Sequence, residues 1–335
     1  MIDLSTEYLG LKLKSPLVVS SSPLTDSTEN IQRLEAAGAS AVVLPSIFEE
    51  QITLESNALD SDLTRGTESF AESLSFFPAY ENFRQGQDTY LNLVRNAKKA
   101  ASIPVLGSLN GATAGGWVSF AKEIEEAGAD ALELNTFSLP TDARVTGAAI
   151  EDGLVELVRQ VKASTKIPIA VKLSSQFTSL PNLAAKLDKV GADAIVLFNR
   201  FYQPGFDIEN QSVTPKLSLS RSEELLLRLH WTAILYGTLR AQIGVTGGVH
   251  SAEDVLMSIM AGGQVSMMAS SLLINGISHL TRVQTDLVKW MEEHEYTSIW
   301  QMRGSLSRQS VPNPAAFERG NYIKTLSSYT LRQSV

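Results

Sequence analysis

Eight short apolar runs rich in branched side chains, helix-period segments between them, and a glycine signal repeated ahead of every second run predict an α/β protein. The fold class is a (β/α)8 TIM barrel. Strands that alternate with helices lie parallel, because a parallel neighbour needs a crossover of roughly a dozen residues. Eight such units close most naturally on themselves. A doubly wound open sheet is the rival, with only about five or six strands in its usual form.

The runs come in order. LVVSSS (17–22) opens the sheet, and AVVLPS (41–46) follows a helix closed by the glycine of AAGASAVV. PVLGSL (104–109) and ALELNTFS (131–138) are third and fourth, PIAVKLSS (168–175) and AIVLFNR (194–200) fifth and sixth. QIGVTGG (242–248) and VSMMASS (265–271) complete the eight. EAGADALEL, KVGADAIVL and MAGGQVSMM repeat the signal of AAGASAVV, a helix ended by a glycine suited to positive φ with a strand a few residues later. Strands three and five are entered through SIPVL and KIPIA, where proline cannot extend the helix before it. Helical periodicity covers 116–127, 148–164, 180–190, 223–239 and 252–261.

One domain spans 1–335, with a lid-like insertion at about 49–95 and a C-terminal tail at about 305–335. The insertion carries Phe76, Phe77, Tyr80 and Phe83, which either wall a substrate site or pack beneath the lid. The tail is expected to pack on the barrel or on a second copy of the chain in a homo-oligomer, a dimer.

Composition narrows the function. The net charge is −8 with scattered basic residues, so no stripe of lysine or arginine meets a nucleic-acid backbone. No apolar run approaches the roughly 18 residues of a membrane span, and the N-terminal sequence has no signal-peptide pattern. The expectation is a cytoplasmic protein acting on a small molecule. The sequence contains no cysteine, which removes thiolate metal sites, iron–sulfur ligation and cysteine nucleophiles. His230, His250, His279 and His294 stand far apart, so no metal site is expected.

Polar residues collect at the C-terminal ends of the predicted strands, where such barrels build their sites. Ser20, Ser21 and Ser22 end the first, Asn135 and Ser138 the fourth, and Asn199 the sixth. Lys172 lies inside the fifth. Serine and asparagine also cap helices, which offers a plain alternative for them. A lysine among apolar neighbours demands an anion or acceptor nearby, met either by a ligand or by a structural ion pair. Gly247 and Gly248 after strand seven, with Ala269, Ser270 and Ser271 after strand eight, form a candidate phosphate site. The following LLING could add a short helix whose N-terminus also favours negative charge.

These residues resemble the dihydroorotate dehydrogenases, FMN-binding barrels that oxidise dihydroorotate to orotate. LKLKSPLVVSSSPL is similar to the family's opening strand, ELNTFS to its asparagine and catalytic-base segment, and AVKLSS to the strand whose lysine lies beside the flavin. GVTGGVHSAEDVLMSIMAGG with MASSLL resembles its phosphate loops. The resemblance implies FMN held by Ser20, Ser21, Ser46, Asn135, Lys172, Asn199, Gly247, Gly248, Ala269 and Ser270. It implies Ser138 as base and Lys172 as the second catalytic group; a serine hydroxyl is a weak base alone, and Thr141, Asp142 and Arg144 in the same loop are candidate helpers. The chain departs from the pattern at Pro45, where the family has a lysine, and at Pro140, where it has an asparagine. The asparagine of the loop after strand two has no counterpart in AESLSFFPAYENF, and Arg221 lies near an expected glycine. A polar ring left without such partners loses about 1–3 kcal/mol for each unsatisfied group. The substrate is therefore dihydroorotate or a related cyclic CH–CH compound. A flavin-free phosphate-binding lyase or isomerase, and a flavin-binding protein without catalysis, are the alternatives.

Overall fold

Each of the eight apolar runs forms one strand of a closed parallel barrel in a computed structural model that describes residues 2–49, 86–111, 114–137, 139–200 and 203–328. The strands are β1 Leu17–Val19, β2 Ala41–Phe48, β3 Val105–Asn110, β4 Ala131–Asn135, β5 Ile169–Leu173, β6 Ala194–Leu197, β7 Gln242–Thr246 and β8 Val265–Met268. They follow chain order around the ring, with β8 beside β1. The sheet is a TIM barrel.

The glycine signal works as its sequence requires. Gly38, Gly128, Gly191 and Gly262, ahead of the even strands, have φ between 98° and 118°. An L side chain there would be strained, so each reverses the chain out of its helix at little cost. Pro104 and Pro168 stand just before β3 and β5, where their carbonyls still accept from Val42 N (3.1 Å) and Leu132 N (2.9 Å).

The outer layer contains α1 Thr28–Ala36, α2 Gln87–Ala100, α3 Ala114–Glu126, α4 Gly147–Ser164, α5 Leu180–Lys189, α6 Leu225–Leu235 and α7 Ala252–Ala261. After β8 come the short α8 Ser270–Asn275 and then α9 His279–Glu293. Their buried stripes, such as Tyr90, Leu91, Val94 and Ala97 on α2, cover the outward side chains of the strands. Each such aliphatic side chain, fully buried, contributes about 1.5–3 kcal/mol. Because α2 starts at Gln87, residues 87–95 of the expected lid-like insertion are barrel wall, and residues 50–85 of it lie outside the described residues.

Inside the ring a second core joins Val18, Ala41, Val43, Leu106, Ala131, Ala170, Ala194, Val196, Val265 and Met267. An antiparallel arm, Thr6–Tyr8 with Leu11–Leu13, plugs the N-terminal mouth with Tyr8, Leu9 and Leu13. Leu9 N donates to Gln242 Oε1 at 2.5 Å, and Thr6 Oγ1 to the Gln264 carbonyl at 3.2 Å, which pins the arm to the starts of β7 and β8.

Beyond β6 an exposed ribbon, Gly205–Asp207 with Ser212–Thr214, precedes α6. The chain after α9 lies on α6 and α7, with Leu306 N donating to Met260 O (2.8 Å) and Arg308 N to Ala233 O (2.9 Å). The last described helix is the exposed α10 Gly320–Ser327. Among the described residues no helix is long and apolar enough to cross a membrane.

Candidate active site

Strand periodicity decides which groups enter the barrel. On β4, Leu132 and Leu134 belong to the outer core, so Ala131, Glu133 and Asn135 face inward. On β5, Ala170 and Lys172 do the same, and the register sets Asn135 opposite Lys172. Lys172 Nζ donates to Glu133 Oε1 at 3.3 Å, with side-chain exposures of 9% and 1%. Glu133 Oε2 and the Tyr8 hydroxyl, both buried, have no hydrogen-bond partner among the described residues. Burial, and then the charge of Glu133, push the Tyr8 phenol well above its ordinary range. A polar layer thus lies on the apolar barrel floor.

Above it runs a chain of hydroxyls and amides. Ser46 and Ser108 share a hydrogen bond of 2.7 Å, Asn135 Nδ2 donates to Ser46 Oγ at 3.2 Å, and Asn199 Nδ2 donates to Asn135 Oδ1. Thr136 Oγ1 donates to the Lys172 carbonyl at 2.8 Å, holding the end of β4 against β5. Ser46 enters this chain because β2 bulges between Val43 and Ser46, which also lets Pro45 sit in mid-strand.

A cavity of about 640 Å³ opens at the C-terminal ends of β1 and β5 to β8. Ser20 and Ser21 line it after β1, Lys172 from β5, Asn199 after β6, Gly247 and Gly248 after β7, and Ala269 and Ser270 after β8. Ser20 Oγ and Thr246 Oγ1 are 3.0 Å apart. Gly248 N donates to Ser220 Oγ (3.3 Å), and Ser220 N donates to Ser270 Oγ (3.1 Å), so a collar of small groups rings one end. Gly248 is glycine for a packing reason: a Cβ there would stand 2.5 Å from Leu225 N at the start of α6. Phe198, Leu219 and Leu273 supply apolar wall.

Eight of the residues expected to hold a cofactor therefore line one cavity. Ser46 and Asn135 join it through the hydrogen-bonded chain to Asn199. Ser138 lies outside the described residues, as do Phe76, Phe77, Tyr80 and Phe83. Asp142 and Arg144 pair with each other in solvent at 2.7 Å, and Arg144 holds the Asp142 carboxyl below its ordinary range. Neither lines the cavity, and neither does the exposed Thr141. Among the described residues no cluster of acids and histidines could hold a metal.

Glu133, Arg200, Ser220, Arg228 and Thr246 belong to the site and escaped the reading by sequence. Two carried a signal. A glutamate inside ALELN and an arginine inside LLLRLHW are charges among apolar residues, the same anomaly that marks Lys172.

The cavity has features that suit a phosphorylated aromatic cofactor: a size within the roughly 300–1,000 Å³ of ligand pockets, a buried ammonium on the floor and bare glycine backbone at one end. Comparison with known proteins gives the same direction. The family described as dihydroorotate dehydrogenase matches residues 3–291. The catalytic subunit of dihydroorotate dehydrogenase B (NAD(+)) from Thermoplasma volcanium is 28% identical over 315 residues, 91% of this chain and 98% of the relative. Its counterpart from Thermoplasma acidophilum is 28% identical over 313 residues, 91% and 99%. That from Methanosarcina acetivorans is 28% identical over 312 residues, 90% and 95%. The match spans the strands that build the cavity as well as the helices around them, and the chain belongs to the dihydroorotate dehydrogenase family, an oxidoreductase of pyrimidine biosynthesis.

Proposed function

We propose that this flavin-dependent CH–CH oxidoreductase binds one FMN in the cavity and oxidises dihydroorotate to orotate. One juxtaposition carries the reading: the Lys172 ammonium and the Gly247–Gly248 and Ser270 collar line a single cavity. Bound there, FMN supplies the hydride acceptor. Lys172 provides a charged donor at the ring's pyrimidine edge, where negative charge grows on reduction. Glu133 fixes the lysine's position from below. Asn135 and Asn199 hold each other in register, and Ser46 anchors Asn135. Ser138, by resemblance, takes the proton from the substrate carbon and needs a relay, since a serine hydroxyl alone is a weak base.

Pro45 favours a second reading of the substrate. It offers no donor at a position where the family has a lysine, and Pro140 offers none on an exposed loop. A site built to hydrogen-bond a ring discriminates strongly against rings that lack those partners. A different cyclic amide or an enone would fit a pocket with fewer donors. Anaerobic mixing of the flavin-loaded protein with dihydroorotate separates the two. Bleaching of the flavin absorbance within seconds supports dihydroorotate, and no bleaching at millimolar concentration removes it.

Electrons must then leave. The chain has no cysteine for an iron–sulfur relay, and its relatives are described as catalytic subunits. A second polypeptide, besides a second copy of this chain, is the electron outlet in this proposal.

A further inference from the structure

Arg228 sits on α6, and its side chain is almost wholly enclosed, 7% exposed. Two of its nitrogens serve the backbone: NH1 donates to the Glu224 carbonyl at 2.6 Å and Nε to the Thr246 carbonyl at 3.1 Å. NH2 has no hydrogen-bond partner among the described residues. It is also the atom closest to where a Cβ on Gly247 would stand, at 2.9 Å. The missing side chain of Gly247 is what lets the guanidinium form cavity wall beside Gly248, Ser220 and Ser270.

A brace between two carbonyls needs only a neutral donor, whereas a buried charge needs an anion. Glu224 cannot serve both arginines in full. Its carboxylate accepts from Arg200 NH1 at 3.1 and 3.2 Å, while Arg228 reaches only its main-chain oxygen. Burial pulls Arg228 below its ordinary range, Glu224 opposes this, and Arg200 adds to it. One carboxylate between two guanidiniums leaves surplus positive charge in the cavity wall beside Gly247 and Gly248.

We infer that Arg228 NH2 is the charged ligand of a phosphate monoester seated against Gly247, Gly248 and Ser270. The inference rests on the FMN reading, in which that monoester is the cofactor's own. A guanidinium suits this role because its N–H groups point in fixed directions toward phosphate oxygens. The glycine loop supplies shape, and Arg228 supplies charge.

Riboflavin, which is FMN without the phosphate, is the discriminating probe. The full-length protein is stripped of flavin and titrated with each, following flavin fluorescence. Arg228→Gln should weaken FMN binding by about 10- to 100-fold, the value of one charge-assisted hydrogen bond, and leave riboflavin within about two-fold. Equal losses for both flavins would make Arg228 a brace of the loop and overturn the inference, as would an unchanged preference for FMN. Should Arg228→Gln fail to fold by circular dichroism, Arg228→Lys decides, since it keeps the charge. The phosphorus-31 resonance of bound FMN should then shift from its wild-type position, and an unmoved resonance overturns the inference. A wild-type protein that takes up neither flavin would overturn the FMN reading itself.

Discussion

Lys172 and Glu133 form an ion pair that is part of the fold and, in the proposed function, part of the chemistry. Each charge is nearly removed from water, and each is the other's hydrogen-bond partner in the barrel floor. Removing one member of such a pair leaves the other buried and uncompensated, which costs about 3–5 kcal/mol. Lys172→Met should lower the urea unfolding free energy of the flavin-free protein by that amount. Adding Glu133→Gln should restore most of it, and a double-mutant cycle reads the coupling directly. In the flavin-loaded protein the same lysine change should lower the flavin's reduction potential, because the growing negative charge loses its cation. A full stability rescue by Glu133→Gln without recovery of potential would separate the two roles. Lys172 was legible because a lysine inside an apolar strand is anomalous. The same reasoning applied to ALELN and LLLRLHW would have found Glu133 and Arg228.

The Gly247–Gly248 turn after β7 is where packing and the proposed phosphate binding constrain the same element. Gly247 and Gly248 both have positive φ, 88° and 87°, so any side chain costs about 1–2 kcal/mol before it touches anything. Their surroundings differ. A Cβ on Gly247 meets the Arg228 guanidinium, the far end of a side chain that can shift; a Cβ on Gly248 meets the Leu225 backbone at 2.5 and 2.9 Å. Gly248→Ala should therefore cost about 2–4 kcal/mol and displace the start of α6, with backbone overpacking added to φ strain. Gly247→Ala should cost about 1–2 kcal/mol and act mainly by moving Arg228. Paired urea titrations check the order, and equal losses would contradict it. Most barrel elements were readable because their punctuation repeats. The N-terminal arm was not: two strands of three residues carry too little alternation to register, and only closure of the barrel mouth gives Tyr8, Leu9 and Leu13 something to bury. The stripe Tyr90, Leu91, Val94 and Ala97 was present in the sequence, yet it runs directly on from a long connection and was absorbed into it.

At the scale of the molecule, the family match ends at residue 291, while ordered chain continues well past it. This continuation has two physically different parts. Up to Val311 it is built into the barrel: Gly304 N donates to Ile259 O at 3.0 Å, Leu306 N to Met260 O, Arg308 N to Ala233 O, and Ser307 is fully buried. From residue 312 to residue 328 the chain touches the barrel lightly, through the His230 and Phe317 rings at 5.9 Å and an Arg308–Glu318 pair with both partners about half exposed. An exposed pair of that kind contributes at most about 1 kcal/mol. Ending the chain after Val311 should therefore leave the unfolding free energy within about 1 kcal/mol of the full protein. Ending it after Met302 also removes three backbone hydrogen bonds onto the last turns of α6 and α7. At about 0.5–1.5 kcal/mol each, their loss should lower stability by about 2–4 kcal/mol. Because α6 carries Arg228 and its first residue supports Gly248, the shorter protein should also bind FMN more weakly, by an amount that tracks the loosening of α6. Amide hydrogen exchange on α6 is the measurement: faster exchange after the second truncation and none after the first is expected, and the opposite order would place the support of the Gly247–Gly248 turn in the outer part of the tail.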